Sequence, residues 1–123
     1  MALILVIDDE TDACRLMERI LSADGHRVFG FTEVEAAMRW LDDNVPDLAI
    51  LDIKLQSTDG ISLLKAMRLR DPFMKVIMIV GTSSVEAANL AIGQGIDAYL
   101  VKPLELDELE QRVASALALE QAR

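Results

Sequence analysis

The stretch Asp47-Leu48-Ala49-Ile50-Leu51-Asp52 decides how the rest of the chain is read. Four consecutive apolar residues are entered from Pro46-Asp47 and end abruptly in a carboxylate. A run this apolar and this short, held between turn signals, suits a β-strand covered on both faces. Asp52 then stands at the strand's C-terminal edge, followed by the looser, polar segment from Lys54 to Gly60. In open α/β sheets that edge is where ligands bind.

Working outward, three more segments carry the same signature. Leu3 to Ile7 is wholly apolar and ends in Asp8-Asp9-Glu10; Val76 to Val80 is closed by Gly81; Ala98 to Val101 runs into Lys102-Pro103. His26 to Phe31 is a weaker strand. Between these runs the apolar spacing becomes helical. From Thr11, the residues Cys14, Met17, Ile20 and Leu21 line one side, and Gly25 is placed as the C′ residue that stops the helix. Thr32 with Glu35 reads as a capping box, opening a helix that buries Val34, Ala37, Met38 and Leu41, with Trp40 on its flank. Asp59-Gly60 opens a third helix with Ile61, Leu64 and Met67 inward, ended by Asp71-Pro72. Ser83 or Ser84 caps a fourth through Ala87 to Ile92, terminated by Gly93 and Gly95. A last amphipathic helix runs from about Glu105 to Gln121, with Leu106, Leu109, Val113 and Leu117 on its apolar face. Strand-helix alternation, five times over, predicts a three-layer αβα fold around a five-stranded parallel sheet with right-handed crossovers.

Composition narrows the function classes. A chain of 123 residues suits one domain, and 52% hydrophobic with 27% charged residues excludes a disordered chain. The net charge of -9 and a pI near 4.4 argue against this domain gripping nucleic acid, which needs clustered Lys and Arg. Divalent cations and basic protein surfaces fit better. Cys14 is the single cysteine, which excludes an internal disulfide, and its core-facing position makes it a small hydrophobe. His26, at the entrance to an edge strand, is expected to be exposed. The N-terminal apolar run lacks a basic lead-in, and no apolar stretch approaches the ~20 residues of a membrane helix. A soluble, cytoplasmic domain with no membrane partner is the expectation.

In such a sheet all strand C-termini lie on one edge. Asp8 and Asp9 follow the first strand, Asp52 the third, and Lys102 the fifth. Three clustered carboxylates repel and raise one another's pKa. A hard divalent cation such as Mg²⁺ resolves that repulsion. A lysine nearby is a point charge suited to a phosphoryl group. A carboxylate beside a metal and a lysine is a candidate nucleophile that becomes an acyl phosphate.

On these residues the chain resembles the receiver domains of two-component response regulators, over essentially its whole length. The match lies in the acidic pair Asp8-Asp9, Asp52, the Asp59-Gly60 that opens the next helix, and the Lys102-Pro103 dipeptide, all in register. The resemblance implies a flavodoxin-like doubly wound sheet of order 2-1-3-4-5. It implies that Asp52 is the phosphoacceptor for the phosphohistidine of a sensor histidine kinase or phosphotransfer protein. Mg²⁺ would be held by Asp8, Asp9, Asp52 and the backbone carbonyl of Lys54. Lys102 would pair with the phosphoryl oxygens, Gly81 would offer its N–H to one, and the Lys102-Pro103 bond would be cis. Tyr99 falls on the family's aromatic switch position. The signal would leave through the surface of the fourth helix, last strand and last helix, which also offers a homodimer face. The last helix has no C-cap before the chain stops, so a receiver cut from a longer regulator is expected.

The sequence also departs from the family. The position at the end of the fourth strand that carries Thr or Ser in receivers is Val80, which has threonine's shape but no hydroxyl. A charge-assisted hydrogen bond there is worth ~1.5–3 kcal/mol, so its loss weakens the coupling between phosphorylation and conformational change. Thr82 replaces it only if the loop shifts by two residues. Gln56 and Ser57 stand where the family has Pro and Gly, and Lys54 and Thr82 occupy its two variable positions. An atypical receiver, working as a phosphorylation-independent interaction module, is the alternative that Val80 raises. An enzyme is not expected: small phosphohydrolases with such a nucleophile carry an acid two residues later, where this chain has Lys54.

Overall fold

The computed structural model describes residues 1–52, 60–81, 89, 93 and 95–121, with the backbone alone for 119–121. Five strands form one parallel sheet: β1 (Leu3–Ile7), β2 (Arg27–Phe31), β3 (Leu48–Asp52), β4 (Lys75–Val80) and β5 (Ala98–Val101). Their order is β2-β1-β3-β4-β5. The reversal of strand order falls between β1 and β3, which pair as Val6 with Ile50 and Ile7 with Leu51. The sheet order and the doubly wound architecture are those expected.

β3 and β4 are buried at every position, and β1 at all but Leu3. This is why they read as unbroken apolar runs: helices on both faces leave no wet side to alternate toward. One face packs Ile4, Val6, Leu48, Ile50, Ile77 and Ile79 against α1 (Thr11–Ala23) and the C-terminal helix (Leu106–Gln121). The other packs Leu5, Leu51, Val76 and Met78 against α2 (Val34–Asp43) and α3 (Gly60–Arg70).

Element ends show where local signals won and lost. Gly25 takes φ +94° just beyond α1, and its N–H donates to the Ser22 carbonyl, as a C′ glycine should. The Thr32–Glu35 capping box does not form. Glu33 is the N-cap of α2, extended at φ -124°, and no side chain caps the helix. Leu106, expected on the apolar face of the last helix, is 39% exposed; Leu109, Val113 and Ala116 carry the packing. His26 is half-buried rather than exposed, because its Nδ1 accepts the Ala2 N–H at 3.2 Å. Leu63, not singled out by spacing, is buried beside Leu64 and Met67. Cys14 is buried, and burial together with the Glu18 carboxylate pushes its thiol up to about 11, so it stays neutral and packs as a small hydrophobe. The expected fourth helix, apart from helical Asn89, lies outside the described residues, as do Asp59, Lys54, Gln56, Ser57 and Thr82.

Candidate phosphoryl and cation site

Strand pleating assembles the site. Side chains two apart along a strand share a face. Ile4 and Val6, Leu48 and Ile50, and Leu100 all lie on the face covered by α1 and the C-terminal helix. Asp8, Asp52 and Lys102 continue those three rows by one step. They emerge where the strands pass the end of the apolar cover, so each buried row delivers one charged group to the same edge. Val80 continues the other face, in phase with Val76 and Met78, and packs into the cluster that holds Leu51, Leu63 and Tyr99.

Each group has a defined anchor. The Asp8 N–H donates to the Phe31 carbonyl at 3.1 Å, and the Lys102 N–H to the Val80 carbonyl at 2.7 Å, which extends the β4–β5 ladder to the lysine itself. The Lys102-Pro103 bond is cis, as expected. The Lys102 ammonium lies 2.9 Å from Asp52 Oδ2 and 3.5 Å from Glu10 Oε1. Carboxylate oxygens of Asp8, Asp9 and Asp52 all lie within 4.8 Å of one another.

Asp8 is the most constrained member. It is fully buried; Oδ1 accepts the Glu10 N–H at 2.9 Å, and Oδ2 has no hydrogen-bond partner among the described residues. Burial pushes its carboxyl up to about 6, and the charges of Asp52 and Glu10 add to the rise; the Glu10 N–H and Lys102 only partly oppose it. For Lys102, burial works against the charge, but the hydrogen bond to Asp52 and the charges of Asp8, Asp52 and Glu10 outweigh it and hold the ammonium above its ordinary value. Lys102 is therefore a fixed cation, set among the carboxylates of Asp8, Asp52 and Glu10. A buried carboxylate oxygen without a donor, in a cluster of hard oxygen ligands, suits a divalent cation of the Mg²⁺ type.

Asp8, Asp9, Asp52 and Lys102 thus converge as their spacing suggests. Val80 is fully buried and apolar at the end of β4, and Gly81 follows it, half-buried, with open space where a Cβ would stand. Tyr99 is half-buried against the α2–α3 face, its hydroxyl 3.4 Å from Asn89 Oδ1. Glu10 was not singled out as a site residue. Its place in an acidic run directly after β1 was the available signal.

Comparison with known proteins decides the family. Residues 4–114 match the response regulator receiver domain. This chain is a member of that receiver family. Transcriptional regulatory protein ZraR from Escherichia coli K12 is 33% identical over 115 residues, covering 94% of this chain and 26% of ZraR. Transcriptional regulatory protein PrrA from Mycobacterium tuberculosis is 36% identical over 114 residues, covering 93% of this chain and 49% of PrrA. The receiver described here thus spans about a quarter to a half of the length of these curated relatives. Among solved structures, the receiver domain of NtrX from Brucella abortus superimposes with a TM-score of 0.89 at 36% identity, covering 94% of this chain and 98% of that one. A receiver domain protein from Clostridium thermocellum gives 0.92 at 28% identity, covering 99% and 98%. Receivers of this CheY-like kind share the flavodoxin-like sheet found here. Among the described residues no helix is long and apolar enough to cross a membrane.

Proposed function

We propose that this receiver accepts a phosphoryl group onto Asp52 from the phosphohistidine of a sensor histidine kinase or phosphotransfer protein. The observation that carries this is the convergence of Asp52, two further acids and the ammonium of Lys102 at one sheet edge. The Asp52 carboxylate attacks phosphorus as the P–N bond to the donor imidazole breaks; the imidazole keeps that electron pair and takes up a proton, leaving an aspartyl phosphate. Lys102 moves its hydrogen bond from the Asp52 oxygen to the phosphoryl oxygens, a shift that its 2.9 Å contact requires little motion to make.

Asp8, Asp9 and Asp52, with the backbone carbonyl of Lys54, are the residues that would hold Mg²⁺. When bound, Mg²⁺ supplies the positive charge that offsets the acids and the transferred phosphoryl oxygens. Asp8 would contribute Oδ2, which has no hydrogen-bond partner among the described residues. Gly81 offers a backbone N–H at the end of β4, and Thr82 is the nearest hydroxyl that follows it in sequence. Val80 supplies none, so coupling to the rest of the domain runs through Lys102 and the β4–β5 ladder, toward Tyr99 on β5 and the C-terminal helix beyond it. This is stoichiometric signalling in the cytoplasm, not turnover of a small substrate.

Beryllofluoride with Mg²⁺, a mimic of the phosphoryl group, tests the reading directly. Backbone amide resonances around Asp52, Gly81 and Lys102 are expected to shift in the wild type and to stay fixed in Asp52→Asn. Identical spectra for the two proteins would defeat it.

A further inference from the structure

We propose that Glu10 is a positioning residue that competes with the phosphoryl group for Lys102, setting how readily the site takes up an anion. The inference rests on the phosphoacceptor reading above and adds a residue to it. Glu10 touches the site twice. Its backbone N–H fixes Asp8 Oδ1 at 2.9 Å, which leaves Oδ2 as the acceptor with no hydrogen-bond partner among the described residues, and its carboxylate stands 3.5 Å from the Lys102 ammonium. Lys102 is thereby shared between two anions, the buried Asp52 at 2.9 Å and the exposed Glu10 at 3.5 Å.

The two contacts differ in kind. The Asp52 side chain is 5% exposed and that of Glu10 is 67% exposed. A hydrogen bond to an exposed carboxylate is weak and salt-screened. When a phosphoryl dianion occupies the site, Lys102 must leave its Asp52 oxygen, and it then has two destinations, the phosphoryl oxygens or Glu10. The Glu10 carboxylate also lies close enough to repel the incoming dianion. Both effects act in one direction: Glu10 holds back anion capture, while its main chain keeps the cation ligand Asp8 in place. Replacing the side chain separates the two roles, because Glu10→Gln removes the charge and keeps the N–H.

Two measurements on the intact chain test this. Competitive acylation of lysines in the metal-free protein, read by mass spectrometry, reports the hold on Lys102 without any phosphoryl chemistry. Glu10→Gln is expected to raise Lys102 reactivity about twofold to fivefold, the range of an exposed ion pair, with the other lysines unchanged. Beryllofluoride titration with saturating Mg²⁺ should show tighter binding by a similar factor at low salt, with the difference closing at high salt. A structural effect of the substitution would persist in salt. Unchanged Lys102 reactivity, weaker beryllofluoride binding, or a gap that survives high salt would each overturn the role given to Glu10. If the wild type itself bound no beryllofluoride, the phosphoacceptor reading would fall, and the acylation experiment would still decide whether Glu10 holds Lys102.

Discussion

At the scale of single residues, Asp8 carries a cost that the fold does not relieve by itself. Its carboxyl titrates near 6, against an ordinary value of 3.8, with burial as the main cause. The native state therefore binds this proton more tightly than the unfolded chain does. Stability falls as pH rises from about 4 to about 6, and the loss, on the order of 2–3 kcal/mol, remains in full above that. Asp8→Asn removes the charge but keeps an oxygen for the Glu10 N–H. In metal-free solution it is expected to raise stability by about 1–3 kcal/mol at pH 7 in urea unfolding. The gain should shrink through the same window and vanish below about pH 4. An unchanged or lower stability at pH 7 would show that burial does not strain Asp8. The same substitution should remove the stabilisation that Mg²⁺ gives the wild type.

The four charged groups of the site were legible in the sequence because each ends an apolar strand, and strand ends on one edge have little freedom to diverge. Glu10 was not legible as a contact. An exposed acid after two acids looks like a solvated loop, and it is the reach of Lys102 across from β5 that gives its carboxylate a partner among the described residues. The burial of Asp8 is also a property of the turn into α1, where its N–H meets the Phe31 carbonyl of the neighbouring strand.

At the scale of elements, the pattern of apolar residues found every described strand, and errors gathered at helix ends. Spacing records which side faces inward, not how far a neighbouring element extends. Leu106 and Leu109 illustrate this on one helix, since both fit the apolar face but only Leu109 is covered. Leu109→Ala is expected to cost about 2–5 kcal/mol, and Leu106→Ala no more than about 0.5 kcal/mol, by chemical denaturation. Equal costs would place the helix differently on the sheet. Thr32 failed as a cap for a related reason: β2 runs to Phe31, the chain bends at Thr32 and Glu33, and the helix starts only at Val34 with Glu33 as its N-cap. Close approach of α1 to β2 is likewise invisible in the sequence. A Cβ on Gly30 would meet the Glu18 carboxylate and lie 2.7 Å from Cys14 Sγ, so the glycine there serves packing rather than a turn.

At the scale of the whole molecule, the order β2-β1-β3-β4-β5 brings three separate strand ends to one edge, and the net charge of -9 sets the field around it. Surface acids elsewhere repel phosphoryl donors in general, so capture depends on the local cation and on Lys102. Covalent modification by a small phosphodonor with Mg²⁺, followed by intact-mass and peptide mass spectrometry, tests that claim most directly. One phosphoryl group should appear, located at Asp52, labile to hydroxylamine as an acyl phosphate is, and lost in Asp52→Asn or when the metal is chelated. A protein that stays unmodified with its metal present, or that is modified equally in Asp52→Asn, would contradict the account.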